Sequence, residues 1–185
     1  MLGGPTATVL VTPIWYYNIP KMILQHLVYR KYIKTKCCIY YVEDKMIFES
    51  KSEKETYDFG KELGARAVPG SVLCIDGDLG VGKTVFTKGF AKGLGVEDDV
   101  VSPTFTIIQI YEEGRLPLYH FDVYRIGEPD EMYEIGFEDY FYGEGVCLIE
   151  WASLIEELLP ENAIRIKIEK DLEKGFDYRK ITVEE

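Results

Sequence analysis

Paired cysteines, histidine, asparagine and a cationic surface are what this sequence has least of, and each shortage closes off a class of chemistry. The four cysteines, Cys37, Cys38, Cys74 and Cys147, form no C-x-x-C pair, so neither a zinc ribbon nor a thioredoxin-type motif is present. Cys74 and Cys147 sit in apolar runs, where a thiol behaves as a small hydrophobe. No disulfide framework is implied, and a reducing, cytoplasmic location fits. The two asparagines, Asn18 and Asn162, open no Asn-Lys-x-Asp sequence, which argues against a guanine-reading GTPase. The histidines are His26 and His120 alone. His120 lies two residues before Asp122, on the same side of a strand, but a packed or hydrogen-bonded histidine is favoured over a His-Asp metal pair. Basic residues are outnumbered, with a formal charge of −11. Residues 1–45 carry a net +4 and the remainder −15. An acidic body does not suit unaided binding of a phosphate backbone. If nucleic acid is the eventual substrate, another subunit holds most of it.

An uninterrupted apolar span is also missing. The first twenty residues are uncharged, but Pro5, Pro13 and Pro20 break them. Proline removes backbone donors and interrupts helical periodicity, so this is a poor membrane span. It also lacks the basic start of a signal peptide. KMILQHLVYRKYIKTK follows, a short apolar run with a basic cluster, which ranks low as a membrane-surface or partner-binding helix. The expectation for residues 1–45 is a poorly ordered extension, or a segment upstream of a true start at Met46, with one domain over 46–185. No membrane association is expected.

From Met46 the pattern is regular. Ser52 and Glu55 fit a capping box that opens a helix to about Ala65. VLCID (72–76) is a short apolar run suited to a strand buried on both faces. A helix runs from Thr84 to about Leu94 and stops at Gly95. TFTIIQIY (104–111) and LPLYHFDV (116–123) flank EEGR as a hairpin. One or two short helices fall between Met132 and Phe141, a buried strand over Val146–Ile149, a helical turn over Leu154–Leu159, and late strands over Ile164–Ile168 and Lys180–Val183. The expected fold is α/β, a P-loop NTPase-like three-layer sandwich with a mixed, mainly parallel central sheet.

Between the first strand and its helix stands GDLGVGKT (77–84), which matches G-x-x-x-x-G-K-[ST]. Gly77 and Gly82 allow backbone angles and a close approach that side chains would block. The amides of Gly77, Asp78, Leu79, Gly80, Val81 and Gly82 can then point at phosphate oxygens, reinforced by the positive end of the helix. Lys83 would reach the β- and γ-phosphates, and the Thr84 hydroxyl would ligate Mg²⁺. Two apolar runs end in carboxylates, LYHFD at Asp122 and VCLIE at Glu150. Carboxylates at the C-terminal ends of buried strands face the ligand crevice of an open α/β sheet. Either could hold Mg²⁺, directly or through water, while the other orients the attacking water. Arg125 is an extra cation or an ordinary surface arginine. Trp151 is read first as core packing and second as an interface anchor. About a hundred residues follow the loop and no basic lid segment appears, so hydrolysis coupled to a conformational change fits better than small-molecule phosphotransfer. A nucleotide-gated binding module without useful hydrolysis is the runner-up, and a small-molecule phosphotransferase comes third.

Four motifs occur in order: GDLGVGKT, SPTFT (102–106), HFDVYR (120–125) and LIEW (148–151). Together they resemble the TsaE (YjeE) family of bacterial P-loop ATPases over residues 46–185. The resemblance implies an ATPase, weak alone, required for threonylcarbamoyladenosine modification of tRNAs that read ANN codons. It implies action with TsaD and TsaB subunits, contact with tRNA through that complex, and ATP and Mg²⁺ as cofactors. It assigns Lys83 to phosphate, Thr84 to Mg²⁺, and Asp122 and Glu150 to the metal and water site. It makes Ser102 to Thr106 a switch-like segment with Thr104 as candidate γ-phosphate sensor, and places Thr56 near the adenine. Two positions depart from the family pattern, Val85 where many members have Thr and Ala152 where Pro commonly follows the Trp.

Overall fold

The computed structural model describes residues 38–42 and 45–184; the expectations for residues 1–37 lie outside the described residues. One of the chain's two compact units is Lys36–Glu185. Its strands are β1 (Cys38–Val42), β2 (Lys45–Ser50), β3 (Val72–Asp76), β4 (Ile108–Tyr111), β5 (Leu118–Asp122), β6 (Val146–Glu150), β7 (Ile164–Lys170) and β8 (Arg179–Glu184). They form one sheet in the order β1-β2-β8-β7-β3-β6-β5-β4. The pairs β7/β3, β3/β6 and β6/β5 are parallel; β1/β2, β2/β8, β7/β8 and β4/β5 are antiparallel. The sheet is therefore mixed, and "mainly parallel" describes only its four central strands. Those strands are joined by crossovers, which parallel pairing requires, and the hairpins fall on the two flanks.

Helices α1 (Glu53–Gly64) and α2 (Lys83–Leu94) cover one face. Short helices α3 (Glu131–Glu134) and α4 (Phe137–Phe141) lie, with 3₁₀ turns over Ala152–Leu158 kinked at Ile155, against the other. This is the expected three-layer arrangement. The period-2 alternation of the central strands divides their side chains: Val72, Cys74, Phe121, Cys147 and Ile149 pack into the α3/α4 cluster. Leu118, His120, Asp122, Leu148 and Glu150 point the other way, and Glu150 meets Thr87 of α2.

The capping signal of α1 is present with one residue's displacement. Ser52 Oγ accepts from Glu55 N at 3.2 Å, but the Glu55 carboxylate accepts from Lys51 N at 2.7 Å rather than from Ser52. The free carbonyls at the C-terminus of α1 are met from far along the chain. Arg115 Nη2 donates to Gly64 O and Ala67 O, both at 2.6 Å.

α1 and α2 meet backbone to backbone through four glycines. A Cβ at Gly60 would lie 2.3 Å from Phe86 O, at Gly64 2.0 Å from Phe90 O, at Gly89 2.0 Å from Tyr57 O and at Gly93 2.1 Å from Lys61 O. The opposite layer is filled by aromatic rings in edge contact, with centroids 5.5 Å apart for Phe121 and Phe141 and 5.0 Å for Phe137 and Phe141.

Four expectations need correction. The sheet starts at Cys38, inside the segment placed outside the domain, because β1 pairs with β2 along all five of its residues. The strand expected over 104–111 forms only from Ile108; Thr106 N and Ile107 N instead donate to Pro103 O, and Ile107 adopts a positive φ of 65°. The second hairpin strand starts at Leu118 rather than at residue 116. The turn expected from Leu154 starts at Ala152 and is 3₁₀ in form, with its entry anchored by Asp76, whose Oδ1 accepts from Ser153 N and Oγ.

Candidate functional site

The site lies at the C-terminal ends of β3, β5 and β6. Strand β3 delivers the chain into residues 77–82, and α2 starts at Lys83 directly afterwards. Gly77 is required by close approach, since a Cβ there would lie 2.4 Å from Ile168 O on the neighbouring strand. Gly82 takes a φ of 106°, which a side chain would oppose, and it presents the first turn of α2 without a capping side chain. The start of α2 therefore keeps free amides for an anion. Val81 is buried and anchors the loop, while Leu79 is exposed.

Lys83 is buried. Its Nζ donates to Gly77 O at 2.7 Å and to Asp78 O at 3.1 Å, and lies 3.6 Å from the centroid of the Trp151 ring. Burial pulls its ammonium below the ordinary lysine value, and Glu150, Asp122, Asp76 and Asp78 oppose that pull. Trp151 is neither plain core nor a free surface anchor. It adopts a left-handed φ of 64°, packs its ring 4.9 Å from Tyr124, and forms the wall against which the lysine rests.

Asp122 and Glu150 are direct register partners across β5 and β6, so their carboxylates stand side by side. Both are buried, yet their surroundings differ. Asp122 is engaged through both oxygens: Oδ2 accepts from Ser102 Oγ at 2.6 Å and Thr104 Oγ1 at 2.5 Å, and Oδ1 accepts from Tyr124 N at 3.1 Å. Glu150 is engaged through one oxygen. Oε1 lies 3.2 Å from Thr87 Oγ1 and 3.0 Å from His120 Nε2, and Oε2 has no hydrogen bond among the described residues. The Thr87 hydroxyl also lies 3.0 Å from Lys83 O, so its one proton is shared between the two acceptors. His120 is thus the hydrogen-bonded histidine expected from the sequence, and its Nδ1 is buried without a partner among the described residues. Nε2 carries the proton that meets the carboxylate.

The remaining sequence candidates fall as follows. The Thr84 hydroxyl, in the first turn of α2, makes no side-chain hydrogen bond among the described residues. Thr104 turns its hydroxyl to Asp122 and Ser102. Thr56 is buried at the start of α1 with its hydroxyl on Ser50 Oγ at 2.8 Å. Arg125 stacks over the Phe105 ring at 4.4 Å. Cys74 and Cys147 are buried free thiols; burial pushes Cys74 up to about 12 and Cys147 further, which leaves both inert. Sequence reasoning missed Thr87 and Arg179. Thr87 follows Lys83 by one helical turn, a spacing that could have flagged it. Arg179 has no local signal: it arrives from β8 and donates from Nε to Val81 O at 2.5 Å.

Among the described residues no three His, Cys, Asp or Glu side chains cluster as a metal cage. The oxygens of Thr84, Glu150 and Asp122 nevertheless suit a hard cation that takes one or two carboxylates and fills its shell with water and phosphate.

This combination is matched by known sequences. Residues 50–181 fit the model of the TsaE family, described as threonylcarbamoyl adenosine biosynthesis protein TsaE. The chain belongs to the TsaE family. Its relatives include the Bacillus subtilis tRNA threonylcarbamoyladenosine biosynthesis protein TsaE, 54% identical over 129 residues, which are 70% of this chain and 78% of that one. The TsaE of Treponema pallidum is 42% identical over 64% of this chain and 87% of its own length. Among solved structures, Bacillus subtilis YdiB superposes with a TM-score of 0.66 at 45% identity, covering 78% of this chain and 87% of that one. The TsaE match spans the phosphate loop, Asp122 and Glu150 in a single stretch, so the site and the family assignment concern the same residues. No helix among the described residues is long and apolar enough to cross a membrane.

Proposed function

We propose that this chain is the ATP-binding and ATP-hydrolysing subunit of threonylcarbamoyladenosine formation on tRNAs that read ANN codons. It works in the cytoplasm with TsaD and TsaB, which carry the transfer chemistry, and meets tRNA through them. The observation that supports this most is the pairing of a buried Lys83, held in a glycine loop, with a Glu150 whose Oε2 has no hydrogen bond among the described residues.

ATP enters with its phosphates against the loop amides and the start of α2. Lys83 leaves the carbonyls of Gly77 and Asp78 for the β- and γ-phosphates, with the Trp151 ring still beside it. Thr84 and one carboxylate would hold Mg²⁺, which supplies charge neutralisation along the phosphates when bound. Glu150 Oε2 orients the attacking water, held in place through Oε1 by Thr87 and His120. Asp122 ties down Ser102 and Thr104, so the 102–106 segment is the element that partner binding would reorder. Phosphoryl transfer depends mainly on positioning and charge neutralisation. Arg125 is the evident cation on the γ side, and it rests on Phe105. The chain alone is therefore slow, well under a median enzyme rate of roughly 10 s⁻¹, and partners accelerate it.

The test is reconstituted modification of an ANN-decoding tRNA with TsaD, TsaB, ATP and a supplied activated threonylcarbamoyl donor, with this chain omitted, added, or added as Lys83→Ala. Modification should need the wild-type chain, and Lys83→Ala should lose both ATP affinity and support of the reaction. Equal modification without the chain would overturn the proposal.

A further inference from the structure

The two sides of the phosphate loop are built differently. Sheet order puts β6 and β5, with Glu150 and Asp122, on one side of β3, and β7 and β8 on the other. On that second side Lys170 and Arg179 are register partners across β7 and β8, and Arg179 is in turn opposite Ser50 of β2. Directly opposed residues share a face. Ser50 bonds Thr56 of α1 and Arg179 reaches Val81 O, so this row faces the layer that holds the loop. A Cβ on Gly82 would lie 3.9 Å from Arg179 Nε, and a Cβ on Gly80 would lie 3.9 Å from Lys170 Nζ.

Neither cation has a carboxylate partner among the described residues. The bonds of the Arg179 side chain go to the carbonyls of Val81, Phe176 and Tyr178, and the Lys170 side chain has no hydrogen bond or ion pair among the described residues. Neighbouring lysines on the same two strands and their connection are paired: Lys167 and Lys180 with Glu169, and Lys174 with Glu49. Two uncompensated cations therefore converge on the phosphate loop of an acidic protein.

We propose that Lys170 and Arg179 form a second cationic subsite of the loop, which takes the α-phosphate of the bound nucleotide. The inference rests on the ATP-binding role argued above. The loop amides cradle the α- and β-phosphates while the loop lysine reaches the β- and γ-phosphates. Lys83 lies against Trp151, the residue after Glu150, so the γ end points to the β6 side. The α-phosphate and nucleoside then leave toward β7 and β8. The guanidinium keeps Nη2 without a hydrogen bond among the described residues, available to a phosphate oxygen, and the lysine adds a mobile point charge. Arg179 also holds the Val81 carbonyl, so the same group positions the loop and neutralises the ligand.

Calorimetric affinities for ATP and ADP, with Mg²⁺, distinguish this from a loop-bracing role. Lys170 is exposed and makes no side-chain hydrogen bond or ion pair among the described residues, so Lys170→Gln isolates its charge. Lys170→Gln should weaken ATP and ADP alike, by about 3- to 10-fold, and Arg179→Gln by about 10- to 30-fold, with Arg179→Lys recovering part of the loss. In the assembled complex KM for ATP should rise far more than kcat falls. Unchanged affinities in Lys170→Gln, a loss confined to ATP, or weakened tRNA binding with nucleotide affinity intact would each overturn the subsite. A wild-type chain that binds neither nucleotide would overturn the ATP-binding role itself, and the subsite with it.

Discussion

The two faces of the sheet are closed by opposite means. On the α1/α2 face, helices touch through Gly60, Gly64, Gly89 and Gly93, where added methyl groups would strike backbone oxygens at 2.0 to 2.3 Å. On the α3/α4 face, rings of Tyr119, Phe121, Phe137, Tyr140 and Phe141 fill the space edge to face. Backbone contacts cannot be relieved by rotating a side chain, whereas rings can shift by tenths of an ångström. Lys83, Thr87, His120, Asp122 and Glu150 all belong to the glycine-packed face. The candidate site sits where the framework is least adjustable, as the proposed hydrolysis would need.

Adjacent residues of β6 give the sharpest contrast, because Ile149 faces the ring layer and Glu150 the helices. Glu150→Gln should bind MgATP nearly as well as wild type, yet its single-turnover hydrolysis with TsaB and TsaD should fall by about 100-fold or more, roughly 2.7 kcal/mol of barrier. Ile149→Val should cost about 1 kcal/mol of stability and leave turnover within about twofold. Hydrolysis by Glu150→Gln at the wild-type rate would leave Asp122 as the sole candidate.

The packing itself can be broken next. Gly64→Ala should lower stability by about 3 kcal/mol, since Phe90 O lies 2.0 Å from the new carbon and the helices must part. That is about 10 °C in Tm for a domain of this size. Phe141→Leu, in the ring layer, should cost only about 1 to 2 kcal/mol. Calorimetric melts of both variants settle the order; an equal loss would remove the distinction between the faces.

A smaller effect is expected one step back from the carboxylate. His120→Leu removes the donor to Glu150 Oε1, and turnover in the complex should fall by about tenfold with ATP affinity little changed. His120→Gln, which keeps an amide donor, should recover most of it. Tyr119→Leu, its neighbour in the ring layer, should not touch turnover. Equal losses in the Leu and Gln variants would argue that His120 acts through packing alone.

The smallest effect concerns Glu49, away from the site. Hydrogen bonds from Tyr178 and Lys174 hold its carboxyl below the ordinary value of 4.5. A lowered folded value means that the unfolded chain binds more protons as pH falls toward and below 4.5, so this contribution is present above that pH and disappears as pH drops through the folded value. Glu49→Gln should therefore cost about 1 kcal/mol at pH 7 and nothing once wild-type Glu49 is protonated. Chemical denaturation of both proteins from pH 7 to pH 3 measures it.

Much of this architecture is legible in the chain because it follows from near neighbours. VLCID and VCLIE are apolar throughout since both of their faces are covered, and they are β3 and β6. Ser52 with Glu55, and Gly95 after Leu94, mark helix ends by local hydrogen bonding. Legibility failed where a distant group intervened. TFTI has the composition of a strand, yet Asp122 takes the hydroxyls of Ser102 and Thr104 and the segment turns. CIYYV stands in a stretch of different composition, which hides it; it pairs with β2, its neighbour in the chain, and β2 in turn lies beside β8.

For the site the division is equally physical. The order of residues in the chain determines a glycine loop between a strand and a helix, a lysine and a threonine at that helix's start, and carboxylates closing two apolar runs, because each follows from spacing of a few residues. Tertiary structure decided that Asp122 and Glu150 are register partners, that Asp122 is bonded through both oxygens while Glu150 Oε2 has no bond among the described residues, and that Lys83 rests on Trp151. It also decided that Arg179 and Lys170 flank the loop, about a hundred residues after it in the chain. These contacts depend on strand order, which only the burial of every face at once can select.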